Sequence, residues 1–200
     1  MIGLERLAGK TALVTGSTDG VGRLVARRLG EAGARVLVHG RDAERGERVV
    51  ADIENAGSAA NFFKADLASL AEVRRLAVMV GNTADRLDIL INNAGIGTAG
   101  GMRQESADGF ELRFAVNYLA GFLLTSLLLP MLQESAPARV VNVSSAGQQA
   151  IDFADVMLTR GYSGARAYCQ SKLAQIMFTF DLAENLAGTG VSATCLHPAT

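Results

Sequence analysis

Six short runs rich in β-branched and other apolar residues alternate along this chain with longer stretches whose apolar residues recur every three or four positions. That alternation limits the fold more than any other feature. Short apolar runs suit strands buried on both faces, and the helical stretches between them then act as crossovers joining parallel strands. The predicted strands are Thr11 to Thr15, Arg35 to His39, Ala59 to Lys64, Leu87 to Asn92, Arg139 to Val143 and Val191 to Leu196. Helical spacing is predicted for Val21 to Ala32, Ala43 to Asn55, Leu70 to Thr83, Ala107 to Glu134 in one or two pieces, and Ala165 to Leu186. Right-handed crossovers turn this order into a doubly wound parallel sheet in three α/β/α layers, with ligand expected at the carboxyl ends of the strands where strand order reverses. No repeat, low-complexity tract or linker divides residues 1–200, so a single domain is expected. The stretch Gly147 to Gly164 has weak periodicity and reads as a long irregular insertion.

Composition narrows the partners. A net charge of −1 with scattered basic residues gives no electrostatic footprint for nucleic acid. Met1 to Leu7 holds too few apolar residues for a signal peptide, and no run of eighteen apolar residues follows, so a cytoplasmic location with no membrane span is expected. The longest apolar stretch, Leu119 to Leu132, is broken by Gly121, Thr125, Ser126 and Pro130 and reads as a buried core or interface helix. Cys169 and Cys195 lack metal-ligand spacing and read as reduced packing residues; no metal site is expected.

The first strand runs into Thr15-Gly16-Ser17-Thr18-Asp19-Gly20-Val21-Gly22 and then a helix. Glycines permit positive φ and close backbone approach, and the free N–H groups of a helix start favour an anion, so this turn is predicted to cradle a dinucleotide's phosphates. Three residues separate Gly16 from Gly20, which is not the commoner spacing of such turns. At the end of the second strand Val38-His39-Gly40-Arg41 offers no carboxylate for a ribose 2′-hydroxyl, whereas Arg41 can face a 2′-phosphate. NADP is therefore favoured over NAD, with Asp42 either capping the next helix or reaching the ribose. His39 reads as a satisfied strand residue. Asp66-Leu67, after the third strand, either receives the adenine amino group or caps a helix. Asn92-Asn93-Ala94-Gly95, after the fourth, combines small residues that admit a flat ring with a pair suited to closing a turn.

Tyr168 and Lys172 stand four apart in a helical stretch and share a face. On an exposed helix such a pair is two solvated neighbours. Beside a cofactor it makes a general acid, because a phenol of pKa about 10 releases its proton more readily next to a fixed cation.

In this order, Thr15-Gly16-x-x-x-Gly20-x-Gly22, Asn92-Asn93-Ala94-Gly95, Asn117, Val143-Ser144-Ser145 and Tyr168-x-x-x-Lys172 resemble the short-chain dehydrogenase/reductase family across essentially the whole chain. The insertion before Tyr168 and Ala167-Tyr168-Cys169-Gln170-Ser171-Lys172-Leu173-Ala174 look like the branch of retinol dehydrogenases, WW-domain oxidoreductases and protochlorophyllide reductases. The resemblance implies a Rossmann-like domain that interconverts an alcohol and a ketone or aldehyde on a small to medium lipophilic substrate by hydride transfer with NADP. It implies that Ser145, with Ser144 the competitor, holds the substrate oxygen, and that Tyr168 is the general acid/base. Lys172 lowers the phenol's pKa and binds the nicotinamide ribose, Asn117 holds a water leading to Lys172, and Pro198 belongs to the turn guiding the carboxamide. A homodimer or homotetramer through the two long apolar helices is implied as well. The family's Pro-Gly is Pro198-Ala199 here, and its substrate loop and seventh strand are expected after Thr200, so the chain reads as a truncated form whose sixth strand has an open flank. The competing reading is a dinucleotide-binding regulator or scaffold without chemistry.

Overall fold

The computed structural model describes residues 7–97 and 101–198; the amino-terminal stretch to Arg6 and the Ala199 departure lie outside the described residues. The strands are β1 (Thr11–Val14), β2 (Arg35–Gly40), β3 (Ala60–Lys64), β4 (Ile89–Asn92), β5 (Ala138–Val143) and β6 (Val191–Leu196). They form one six-stranded sheet in the order β3-β2-β1-β4-β5-β6, parallel throughout. The helices are α1 (Gly20–Glu31), α2 (Ala43–Asn55), α3 (Leu70–Thr83), the short α4 (Leu112–Phe114), α5 (Ala120–Glu134) and α6 (Gly164–Asn185). A π-turn, Ala115–Leu119, joins α4 to α5.

Alternation along the strands sorts the two layers. Val14, Val36, Val38 and Ile91 face one side and pack with Ala26 of α1 and Val49, Val50 and Ile53 of α2. Leu13, Leu37, Leu90 and Val140 face the other, against Val73, Leu76 and Val80 of α3, Leu124, Leu128 and Leu132 of α5, and Leu182 of α6. Truncating one of these buried leucines to alanine costs about 2–5 kcal/mol in cores of this kind. The winding reverses between β1 and β4, which opens a crevice at their carboxyl ends.

Local chemistry sets the helix starts. The side chains of Asp42, Ser69 and Ser163 accept the N–H groups of Arg45, Glu72 and Arg166 and so cap α2, α3 and α6. The helix predicted from Ala107 begins only at Leu112, because Glu105 bridges to Glu111 and Ser106 binds Phe110 in a tight turn first. Among the described residues, Leu112–Glu134 is one continuous helical run long and apolar enough in composition to cross a membrane, with mean hydropathy 1.7. One face of it packs into the core: Leu124, Thr125, Leu128 and Leu132 are buried, and Thr125 is bonded to Asn92 of β4. On β6, Ser192, Thr194 and Leu196 are exposed, so one face of that strand is open.

Candidate active site

The glycine turn is shaped by contacts only glycine tolerates. Gly16 has φ +64°, and a methyl group added at Gly22 would lie 2.2 Å from the Gly16 carbonyl oxygen and 2.3 Å from Asn93 Nδ2. The N–H of Gly16 donates to Nδ1 of His39 at 3.1 Å, and Nε2 of the same ring faces the Ala65 carbonyl at 3.2 Å, so the proton sits on Nε2. Burial lowers the His39 pKa to about 4, which keeps the ring neutral. In the first turn of α1, the N–H groups of Val21 and Gly22 have no acceptor among the described residues, and both line the cleft. Asp19 takes the Gly20 N–H at 2.8 Å.

The cleft has a volume of about 480 Å³ and runs along the carboxyl ends of β2, β1 and β4. It is lined by Gly16, Thr18, Asp19, Gly20, Val21 and Gly22, then Arg41, Asp66 and Leu67, and finally Asn93, Ala94 and Gly95. Ser17 departs from its expected cofactor-facing role: it is fully buried, its hydroxyl donates to the Val14 carbonyl at 2.8 Å, and it accepts the His39 N–H at 3.0 Å. Its side chain fastens the turn to β2 instead. Arg41 is exposed at the rim with no ion pair among the described residues, whereas Arg45 is held by Asp19 at 2.9 Å and Asp42 at 3.5 Å. The capping reading of Asp42 is the observed one. Asp66 accepts the Ala68 N–H at 3.0 Å while still lining the cleft. Asn93 Nδ2 donates to the carbonyls of Thr15 and Gly16, so its side chain closes the turn and the small residues after it form the floor.

Beyond Gly95 the four expected catalytic side chains come together. A methyl group at Gly95 would lie 3.3 Å from Asn117 Oδ1 and 3.6 Å from Lys172 Nζ; one at Gly147 would lie 3.5 Å from both Ser145 Oγ and Tyr168 Cε1. Lys172 Nζ stands 5.9 Å from the Tyr168 ring centre. The ammonium donates to the Val143 carbonyl at 2.7 Å, and burial lowers its pKa to about 8. The two serines separate: Ser144 is buried and donates to the Lys172 carbonyl at 3.1 Å, while Ser145 is half-buried and accepts the Gly147 N–H at 3.1 Å. Of the two, it is the Ser145 hydroxyl that shares the Gly147 corner with Tyr168. Asn117 is 2 % exposed, and its carboxamide bonds both the N–H and the carbonyl of Ile96, plus Ser171 Oγ. Both of its Nδ2 hydrogens are thereby used. Pro198 is half-buried after β6 and does not line the cleft. Cys169 and Cys195 are free thiols, half-buried rather than buried.

Several residues at the site carried no sequence signal. Leu112 and Val116 line the cleft but show only core-like helical spacing. Arg113 is 7 % exposed and donates to the Gly97 carbonyl at 3.0 Å and to Tyr162 Oη at 2.6 Å; that phenol donates to Glu111 Oε1 at 3.0 Å. This cluster ties the segment after β4 to the insertion before α6. Gln170 secures the insertion again, accepting the Asp152 N–H and donating to the Val156 carbonyl. The insertion expected to be irregular is irregular, yet it is held at both ends.

Comparison with known proteins agrees with this geometry. Residues 10–200 match the family model described as short chain dehydrogenase. The chain is 43% identical to human retinol dehydrogenase 13 over 96% of its own length and 59% of that protein's, and 44% identical to bovine dehydrogenase/reductase SDR family member 13 over 98% and 52%. It thus spans little more than half the length of these curated relatives. Among solved structures, the Pseudomonas aeruginosa RhlG/NADP active-site complex superposes with a TM-score of 0.81 at 36% identity, covering 100% of this chain and 75% of that one. A metagenomic short-chain oxidoreductase in complex with NADP superposes with a TM-score of 0.81 at 30% identity, covering 97% and 84%. With the strand order and the glycine turn beside these matches, the chain belongs to the short-chain dehydrogenase/reductase family, in its retinol dehydrogenase-like branch.

Proposed function

We propose that this protein is an NADP-dependent oxidoreductase that interconverts an alcohol and a ketone or aldehyde on a small to medium lipophilic substrate. The observation that carries the reading is the convergence of Ser145 and Tyr168 on Gly147, and of Lys172 and Asn117 on Gly95, which lines the cleft. The fit of a dinucleotide rests on the glycine contacts at Gly16 and Gly22, on the Val21 and Gly22 N–H groups and on Arg41 at the rim, the last three without a partner among the described residues. Its phosphates would meet the first turn of α1, a 2′-phosphate would meet Arg41, and the adenine would lie by Asp66 and Leu67. Ala94 and Gly95 would lie beneath the nicotinamide half. When bound, the nicotinamide supplies or accepts the hydride.

The chain's own residues then handle the substrate oxygen and its proton. The Ser145 hydroxyl fixes the oxygen beside Tyr168, which confines the reactants to a productive geometry. Tyr168 donates its proton to the oxygen as negative charge develops there, or removes it in the reverse direction. Lys172, buried and without a carboxylate partner among the described residues, places a positive charge under the phenol. Asn117 sets the Ile96 backbone and joins it to α6 through Ser171. The names of the relatives, three of which are retinol dehydrogenases 11, 12 and 13, support the proposed lipophilic substrate class. A cytoplasmic location remains part of the same proposal, on composition alone.

The test is NADPH oxidation with a panel of aldehydes and ketones. Tyr168→Phe should lower kcat by at least about 10²-fold with cofactor affinity kept; equal turnover would reject the general-acid role. A homodimer or homotetramer is proposed through α5 and α6, where Phe122, Leu127, Met177 and Phe180 are 40–67% exposed. Sedimentation at high concentration should show the oligomer, and Phe180→Glu should dissolve it; a parent protein that sediments only as monomer removes that part of the proposal.

A further inference from the structure

We infer that Gln175 is a positioning residue for Lys172: its carboxamide oxygen, with the Val143 carbonyl, forms a two-acceptor seat that holds the buried ammonium beneath Tyr168. The contact itself is geometric, and only its consequence for turnover rests on the catalytic reading above.

Lys172 is 4 % exposed and Gln175 3 %. They stand three apart on one face of α6, and Nζ lies 3.3 Å from Gln175 Oε1 and 2.7 Å from the Val143 carbonyl. An ammonium has three N–H groups, so two are seated and one is left for the Gly95 side, where the cleft lies. The groups facing Nζ are few. From α6 there is the Tyr168 phenol ring, from β5 the Val143 carbonyl, from the π-turn Asn117, and from the loop after β4 the backbone of Gly95. No ion pair to Lys172 is present among the described residues. A buried cation without a counter-ion depends on neutral acceptors to stay charged, since burial alone favours the neutral amine. Gln175 Oε1 is the side-chain oxygen that bonds Nζ.

The seat is itself braced. The Gln175 carbonyl accepts the Thr179 hydroxyl at 2.7 Å, Thr179 Oγ accepts Asn142 Nδ2 at 2.9 Å, and Asn142 Oδ1 accepts Asn92 Nδ2 at 2.8 Å. Asn92 also donates to Thr125 at 2.9 Å. A polar ladder thus runs from α6 across β5 and β4 to α5 and fixes the turn that carries Gln175. Such a ladder through a core is costly unless bonded, and it is better understood as holding one side-chain geometry than as adding stability.

The chain has three lysines, Lys10, Lys64 and Lys172, so lysine labelled with ¹³C at Cε gives a spectrum simple enough to titrate Lys172 directly, assigned with Lys172→Met. Gln175→Leu removes the acceptor and should lower the Lys172 midpoint by about one unit, while Gln175→Glu supplies an anion of the same length and should raise it by a similar amount. In NADPH oxidation, kcat should fall about tenfold in the Leu variant with KM for the cofactor changed less, and the pH profile of kcat should move in the direction of the titration. Midpoints that stay at the parent value in both variants overturn the inference, as does a kcat loss with an unmoved titration. If Gln175→Leu does not fold, the sign of the shift in Gln175→Glu still decides. Should Tyr168→Phe keep full turnover while the Lys172 titration moves as stated, the seat stands and the catalytic reading falls.

Discussion

The imidazole of His39, at the end of β2, accepts the N–H of Gly16 through Nδ1 at 3.1 Å and holds the Ala65 carbonyl through Nε2 at 3.2 Å. One buried ring therefore links the phosphate turn to the ends of two neighbouring strands. It does so only while neutral, because a doubly protonated ring has no lone pair for Gly16. Its pKa is lowered to about 4 by burial, against 6.5 when unfolded. As pH falls below 6.5 the unfolded chain takes the proton first, so the contribution of this group is present at pH 7 and is lost on going down to pH 4. The full linkage is up to about 3 kcal/mol. Urea denaturation at pH 7.0 and about 4.5 should show a smaller loss for His39→Gln than for the parent, and equal losses would place the acid sensitivity elsewhere.

Arg41 and Arg45 make different predictions although they flank the same rim. Arg41 has no ion pair among the described residues and is free to meet a 2′-phosphate; Arg45 is already shared between Asp19 and Asp42. Arg41→Ala should weaken NADPH by about 10-fold or more and NADH little, in line with a charge-assisted bond worth 1.5–3 kcal/mol. Arg45→Ala should affect both cofactors alike, through Asp19 at the start of α1. Titration calorimetry with each nucleotide separates the two, and equal weakening of both nucleotides by Arg41→Ala would point away from 2′-phosphate recognition.

The Arg113, Tyr162 and Glu111 cluster should govern the insertion before α6. Glu111 is 1 % exposed and lies 3.9 Å from the Arg113 guanidinium while it keeps the Phe114 N–H and the Tyr162 hydroxyl, so Arg113→Ala would remove the counter-charge of a buried carboxylate and should cost about 3–5 kcal/mol. Tyr162→Phe removes two hydrogen bonds with little change of shape and should cost about 1–3 kcal/mol. Limited proteolysis should cut between residues 147 and 163 faster in the Phe variant. Unchanged cleavage and unchanged melting would show that the cluster does not hold that segment.

Most of the fold was legible because its signals are local. The apolar runs marked each strand to within two residues, and Asp42 before Ala43 offered a helix start. The glycine turn was legible for the same reason: Gly16 and Gly22 have no tolerable replacement at such contacts. What stayed hidden depends on partners far along the chain. Ser17 sits among cleft residues in sequence, and only the pairing of its hydroxyl with Val14 and His39 shows it turned inward. Arg113 and Tyr162 are 49 residues apart, and Glu111 and Tyr162 are 51, so no spacing rule joins them. Gln175 was visible as one more helix residue; its meaning comes from the three-residue offset to Lys172 combined with burial.

The π-turn at Ala115–Leu119 lets one helical rod serve two masters. Ala120 N–H reaches back five residues to the Ala115 carbonyl, so the winding slips by one position between Asn117, which points to Ile96 and Ser171 at the candidate site, and Leu124, which points into the hydrophobic layer. Deleting a single residue there would restore regular winding and swing the upstream segment by about 100° relative to the downstream one. Either Asn117 would lose Ile96 or the leucine stripe would leave the sheet. The bulge is a phase adjuster: it reconciles the angular demand of the Asn117 contacts at one end with that of packing at the other.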